Sequence, residues 1–139
     1  MKSFIIKAAL ILAFPLMGGI AFALEQIYKP HRDAANEKAI VTTAKDIFAS
    51  YNKDEKEANA KYLDKAVEIT GEIAETKTNQ QGKMVCILKT DDPFFGVNCT
   101  FKQNENLKVG QQVTLKGICT GYLTGADVIV IDCIFVNNN

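Results

Sequence analysis

The spacing of apolar residues changes twice along this chain. Residues 8 to 24, AALILAFPLMGGIAFAL, carry no charge at all. Further on, Ile40, Ala44, Ile47, Phe48 and Tyr51 fall at i, i+4, i+7, i+8 and i+11, which is one stripe of a helix. This spacing predicts a helix from about Asp33 to Tyr51, with Lys45, Asp46 and Lys53 on its solvated side. Asn52 to Asp54 interrupt it, and Asp54 is suited to cap a short second helix through about Leu63, with Glu55 also on the solvated face.

After Lys65 the period drops from 3.6 to 2. Val67, Ile69, Gly71 and Ile73 alternate with Glu68, Thr70 and Glu72, the mark of a half-buried strand. TNQQGK (78–83) reads as a turn, MVCILKT (84–90) as a second strand and DDPFFG (91–96) as the next turn. Val97, Cys99 and Phe101 then alternate with Asn98, Thr100 and Lys102. A longer polar connection, QNENLKVGQ, leads to a fourth strand with Val113, Leu115, Gly117 and Cys119 inward. In the fifth, Ile129, Ile131, Cys133 and Phe135 are expected on one side and Asp132 on the other. Five short strands with a long third connection predict a mostly-β fold, a five-stranded Greek-key barrel of the OB type. Gly71 and Gly117 stand mid-strand, where such a barrel bends sharply. An open five-stranded sheet backed by the two helices is the competing layout.

The apolar N-terminal run divides the chain into three: a signal-anchor or transmembrane segment (1–28), a helical extension (29–65) and the barrel (66–137). Lys2 and Lys7 precede the run as in an export signal. Phe4 to Leu24 as a helix would span roughly 30 Å, enough for a bilayer core, and Pro15 and Gly18-Gly19 are tolerated there. Alternatively, AFA at 21–23 is a cleavage site, with the chain released to the periplasm after Ala23. The first cysteine is Cys86, so lipid attachment at an N-terminal cysteine is not expected. The short lysine-bearing tail favours an exported, extracytoplasmic C-terminal domain, although Lys29 and Arg32 lie beyond the other end.

The stretches NEKAIVTTAKDIF, ANAKYLDKAVEITGEI, VNCTF, LKVGQQVTLKGICTG and DVIVIDCIF together resemble the tRNA-anti-like OB-fold family of bacterial membrane or lipoprotein-like proteins. The likeness covers roughly residues 36 to 136. It implies the OB fold and carries no established biochemical activity with it. The absence of a lipid-attachment cysteine departs from the lipoprotein-like members and leaves the membrane helix to provide the tether.

Charge narrows the partners. The whole chain is neutral, with 16 basic and 16 acidic side chains. From Ala66 onward there are 6 lysines against 8 acidic residues. Binding through phosphate neutralisation calls for a basic excess, so a protein or glycan ligand in the envelope is expected ahead of single-stranded nucleic acid, which remains the alternative. OB domains take ligands on the face of the second and third strands, often by aromatic stacking. Phe94, Phe95 and Tyr122 are the candidate platform, with Lys89 and Lys102 (and Lys83) as nearby charge; the other reading has Phe94 and Phe95 capping the barrel end. No phosphate-binding glycine loop or nucleophile motif is present, and the sole histidine, His31, lies before the domain. The expectation is a binding module, not an enzyme, with no cofactor and no metal.

All four cysteines fall on inward strand positions. Cys86 and Cys99 are symmetric about the DDPF turn, in a register that also pairs Leu88 with Val97. Cys119 and Cys133 flank the loop YLTGAD and are the candidates for one structural disulfide, with Cys86 and Cys99 as core thiols. Cys99 with Cys133, or four plain buried thiols, are the other readings.

Overall fold

The computed structural model describes residues 34–123 and 125–136. The chain divides into two units, residues 1–32 and 33–139, and every described residue lies in the second. The expected membrane segment lies outside the described residues; among those described, no helix is long and apolar enough to cross a membrane.

The second unit opens with one turn of 3-10 helix (Ala34–Asn36), then strand β1 (Ile40–Thr43), helix α1 (Ala44–Lys53) and helix α2 (Glu55–Tyr62). Five strands follow: β2 (Ala66–Thr78), β3 (Met84–Leu88), β4 (Val97–Phe101), β5 (Gln112–Tyr122) and β6 (Val128–Phe135). The sheet order is β1-β2-β3-β4-β6-β5, and β5 returns to pair with β2. Strands β2 to β6 therefore close into a five-stranded barrel, with β4 and β6 parallel and the other barrel pairs antiparallel. Among OB strands numbered in chain order this is the 1-2-3-5-4-1 circuit. The open-sheet layout is excluded by the β2–β5 ladder, which runs from Ala66↔Ile118 to Glu72↔Gln112.

The helix expected from Asp33 begins eleven residues later. Ile40, Val41, Thr42 and Thr43 are four β-branched residues in a row. Their stiff side chains favour an extended backbone, and they form β1, parallel to Ile69 and its neighbours on β2. Thr43 ends the strand and caps the helix, its Oγ1 accepting the Asp46 amide at 3.1 Å. Asp54 then closes α1 and caps α2, its carboxylate accepting the Glu57 amide, as expected.

The helices are part of the barrel's interior. Ile47, Phe48, Tyr51, Ala58 and Tyr62 share one apolar cluster with Val67, Ile69, Leu88, Val97, Phe101, Leu115 and Val130. Tyr51 stacks on Tyr122 with ring centres 5.6 Å apart, and Phe48 meets the same ring edge-on. Gly71 lets α1 approach, since a Cβ there would stand 3.0 Å from that of Ala44.

The inward set of β6 differs from the expected one. Val128 and Val130 are buried, while Ile131 is among the exposed hydrophobics. Asp132 has a positive φ of 53°. Around it β6 carries one residue more than either neighbour: Cys99↔Val130 is followed by Phe101↔Cys133 on β4, and Ile118↔Ile131 by Lys116↔Ile134 on β5. This β-bulge shifts the alternation by one, so Cys133 faces inward although Ile131 does not. Gly117 sits against the bulge, where a Cβ would lie 2.7 Å from the Ile131 carbonyl oxygen and 2.8 Å from Cys133 Sγ.

The β5–β6 register also sets the expected Cys119–Cys133 pair apart. Cys119 is opposite Val130, and Cys133 is opposite Phe101 on the other neighbouring strand. All four cysteines are free and buried. Cys119 instead lies 3.6 Å from the Tyr51 hydroxyl. Cys86 does stand opposite Cys99, and Leu88 opposite Val97, as the symmetric turn predicts.

These close approaches set an order of sensitivity. Gly117→Ala is expected to lower the unfolding free energy by about 2 kcal/mol, because backbone and side-chain atoms must both move. Val41→Thr, on an exposed position, should change it by no more than about 0.5 kcal/mol. Urea unfolding of the two variants beside the parent checks both values.

Candidate functional site

The connection from β3 to β4 is held in one shape by its own side chains. Thr90 is buried, and its hydroxyl donates to the Phe95 carbonyl at 2.7 Å while accepting the Asp92 amide. Asp92 Oδ1 accepts the amides of Phe94 at 2.7 Å and Phe95 at 2.9 Å, an Asx turn. The far end is tied to the β5–β6 loop. Gly96 donates its amide to Asp127 Oδ1 at 2.8 Å, and its carbonyl accepts the Val128 amide. Asp92 is thereby committed to the backbone, and Asp91 forms an exposed ion pair with Lys45 at 3.5 Å.

On this braced loop Phe94 is 85% exposed and Phe95 38% exposed. A Phe on a free, mobile loop could fold back onto the protein; here the hydrogen bonds hold the backbone that presents it. Phe94 does not cap the barrel. Beside it runs a groove of about 520 Å³. Ala74, Ile87, Phe94, Phe95 and the 65%-exposed Val109 supply its apolar surface, while Glu72, Glu75, Asp91, Asp92 and Lys89 supply its charge. Glu72 and Glu75 have no ion-pair partner among the described residues.

The structure thus unites Phe94, Phe95 and Lys89 and separates them from the other expected residues. Tyr122 is packed beneath the helices against Phe48 and Tyr51, so it belongs to the core. Lys102 follows the opposite end of β4, roughly 20 Å along the strand from Gly96 at ~3.3 Å per residue. Lys83 likewise precedes β3 at that far end. The outward residues of the middle strands are Asn98 and Thr100, which pair with Ile87 and Val85 on β3; Asn98 also pairs with Ile129 on β6. That face is aliphatic and amide-bearing, without an aromatic platform.

Sequence reasoning missed Glu72, Glu75 and Val109 as wall residues. Glu72 read as the solvent side of a strand, which it is, and Glu75 lay beyond the alternating run. Only the bulge at Ala74, where Ile73↔Leu88 is followed by Glu75↔Ile87, turns β2 so that both border the groove.

The tRNA_anti-like family pattern matches residues 1–134, and the chain belongs to that family. No curated protein matches it. Among solved structures, a crystal structure provisionally assigned as an aspartyl-tRNA synthetase from Leishmania major Friedlin aligns with a TM-score of 0.43 and 12% identity. The alignment covers 84% of this chain and 26% of that one, so the chain spans about a quarter of that protein's length.

Removing the Asx-turn acceptor tests the bracing. Asp92→Ala should cost about 1–2 kcal/mol, since two amides lose an ionised acceptor. Hydrogen exchange should speed up at Phe94 and Phe95 while the β2–β5 ladder is unchanged. Asp92→Asn, which keeps an acceptor oxygen, should lose less.

Proposed function

We propose that this chain is a membrane-tethered, exported OB-fold binding module whose β3–β4 groove takes a polypeptide segment bearing basic side chains next to an apolar one. The observation that carries the reading is the groove's composition: an exposed phenylalanine on a braced loop, with four carboxylates against one lysine. Two of those carboxylates have other work, Asp92 in the turn and Asp91 with Lys45. Glu72 and Glu75 are left facing a ligand. A cationic side chain beside them gains charge-assisted contacts, whereas a phosphate backbone meets repulsion from the same pair. Phenylalanine can stack on bases as well, so the carboxylates, not the aromatics, distinguish the two ligand classes.

Support for the tether comes from the uncharged run at residues 8–24, long enough with its flanks to span a bilayer, and from a family match that begins at residue 1 and so includes that run. The family's name refers to anticodon-binding domains, but a shared fold does not carry a ligand with it. The module binds its partner without transforming it: the groove's titratable side chains are carboxylates and one lysine, with no paired nucleophile and base.

The ligand class is checked by fluorescence anisotropy of the full chain in detergent at physiological salt. A labelled peptide alternating lysine with leucine or phenylalanine should bind more tightly than a 15-mer of oligouridylate. Phe94→Ala should weaken peptide binding about tenfold, as truncation of a central aromatic contact does, and Glu72→Gln with Glu75→Gln several-fold. Sub-micromolar binding of the oligonucleotide, lost in both Phe94→Ala and Phe95→Ala, would replace this reading with the nucleic-acid one.

The tether is checked by fractionation. The chain should sediment with membranes and resist extraction by high salt and by alkali. A soluble chain beginning at Leu24 would show cleavage instead.

A further inference from the structure

Four thiols lie in the barrel core, but only two are set as a cross-strand pair. Cys86 on β3 stands opposite Cys99 on β4, and both are fully buried. Residues directly opposed in an antiparallel ladder hold their Cα atoms about 4.5–5.5 Å apart, inside the range that a disulfide spans. Both side chains point the same way, into the core: the next inward pair on the same strands, Leu88 and Val97, is also fully buried. The other thiols are placed differently. Cys119 faces Val130 and lies against the Tyr51 hydroxyl; Cys133 faces Phe101 across the ladder, although its thiol neighbours that of Cys99.

We infer that Cys86 and Cys99 form a disulfide site, closed by an oxidised small-molecule disulfide of the glutathione type, while Cys119 and Cys133 remain thiols. The ring so formed contains the whole β3–β4 connection, including Phe94 and its groove. The chemistry is two exchanges. The thiolate of one cysteine attacks the oxidant's S–S bond and releases one small thiol. The thiolate of the second attacks the resulting mixed disulfide and releases the other. The protein loses two protons and two electrons, and the oxidant's two sulfurs gain them.

The native core resists this reaction. Hydrogen bonding to Cys99 and burial push the Cys86 thiol far up. Cys99 is raised by its hydrogen bond to Cys133 and by burial, against the lowering effect of Cys86. Neither forms the attacking thiolate readily while packed, so the bridge closes as the strands come together during folding.

Refolding the full chain in detergent with mixtures of reduced and oxidised glutathione tests the site. Remaining thiols are trapped with N-ethylmaleimide, and the linkage is mapped by peptide mass spectrometry. The expected result is a Cys86–Cys99 peptide pair with Cys119 and Cys133 alkylated. Folded, fully reduced protein should be alkylated at Cys86 and Cys99 at least about tenfold more slowly than unfolded protein. A dominant Cys99–Cys133 or Cys119–Cys133 linkage would overturn the inference. So would four alkylated cysteines at every glutathione ratio.

Discussion

The barrel depends on one strand pairing on both of its edges. Along Ala66–Glu72, β2 holds β5 on one edge, and along Val67–Thr70 it holds β1 on the other. Past the bulge at Ala74 it holds β3. Closing a sheet on itself requires a strand to curve between its partners, and bulges supply that curvature. The turn is secured from outside the strand. Ile73 donates its amide to Gln111 and accepts from Gly110, and Lys89 donates to Glu72, so both neighbouring connections fasten at the bend. Because the bend lies at Glu72 to Glu75, the element that closes the barrel also builds the wall of the groove.

That coupling explains what was legible in the sequence. Alternation revealed the five barrel strands and the Cys86–Cys99 register because one face of each strand is buried, which makes a period of two visible. Three things were hidden. Helical spacing from Ile40 through Tyr51 was real for α1 but accidental for Ile40, whose neighbours Val41 to Thr43 carried the stronger local signal. The inward phase of β6 turned on Asp132 adopting a left-handed backbone, and no hydrophobic pattern encodes such a step. Tyr122 looked like a platform because aromatic residues near a loop do; only the packing of α1 onto the barrel shows that Phe48 and Tyr51 claim its ring. Of the site itself, Phe94, Phe95 and Lys89 could be named in advance. Their glutamate neighbours could not, since adjacency across a bulge is a tertiary fact.

An exposed phenylalanine on a fixed loop has a physical meaning that one on a floppy loop lacks. Ordering a loop on binding costs conformational entropy, and a loop already fixed by Thr90, Asp92 and Asp127 avoids most of that cost. The water over Phe94 is therefore displaced at little expense in order. On the proposed reading the mixed lining would sort ligands: apolar contact would supply affinity to a partner that covers Phe94 and Val109, and Glu72 and Glu75, without an ion-pair partner among the described residues, would favour one that also brings positive charge.

The helix that fills the barrel is encoded ahead of all its strands. Ile47, Phe48, Tyr51 and Tyr62 are buried in the same core as β2 to β6, yet they belong to what reads in the sequence as an extension. The barrel is consequently not portable as residues 66–137. A fragment cut there would keep every barrel strand but lose β1 and its stopper, baring the apolar surface on which Tyr122 and Leu88 rest. A portable form of this chain must therefore carry β1, α1 and α2 along with the barrel strands. The portable unit is thus set by where the core is completed, at β1 and the two helices, and not by where the alternating pattern starts.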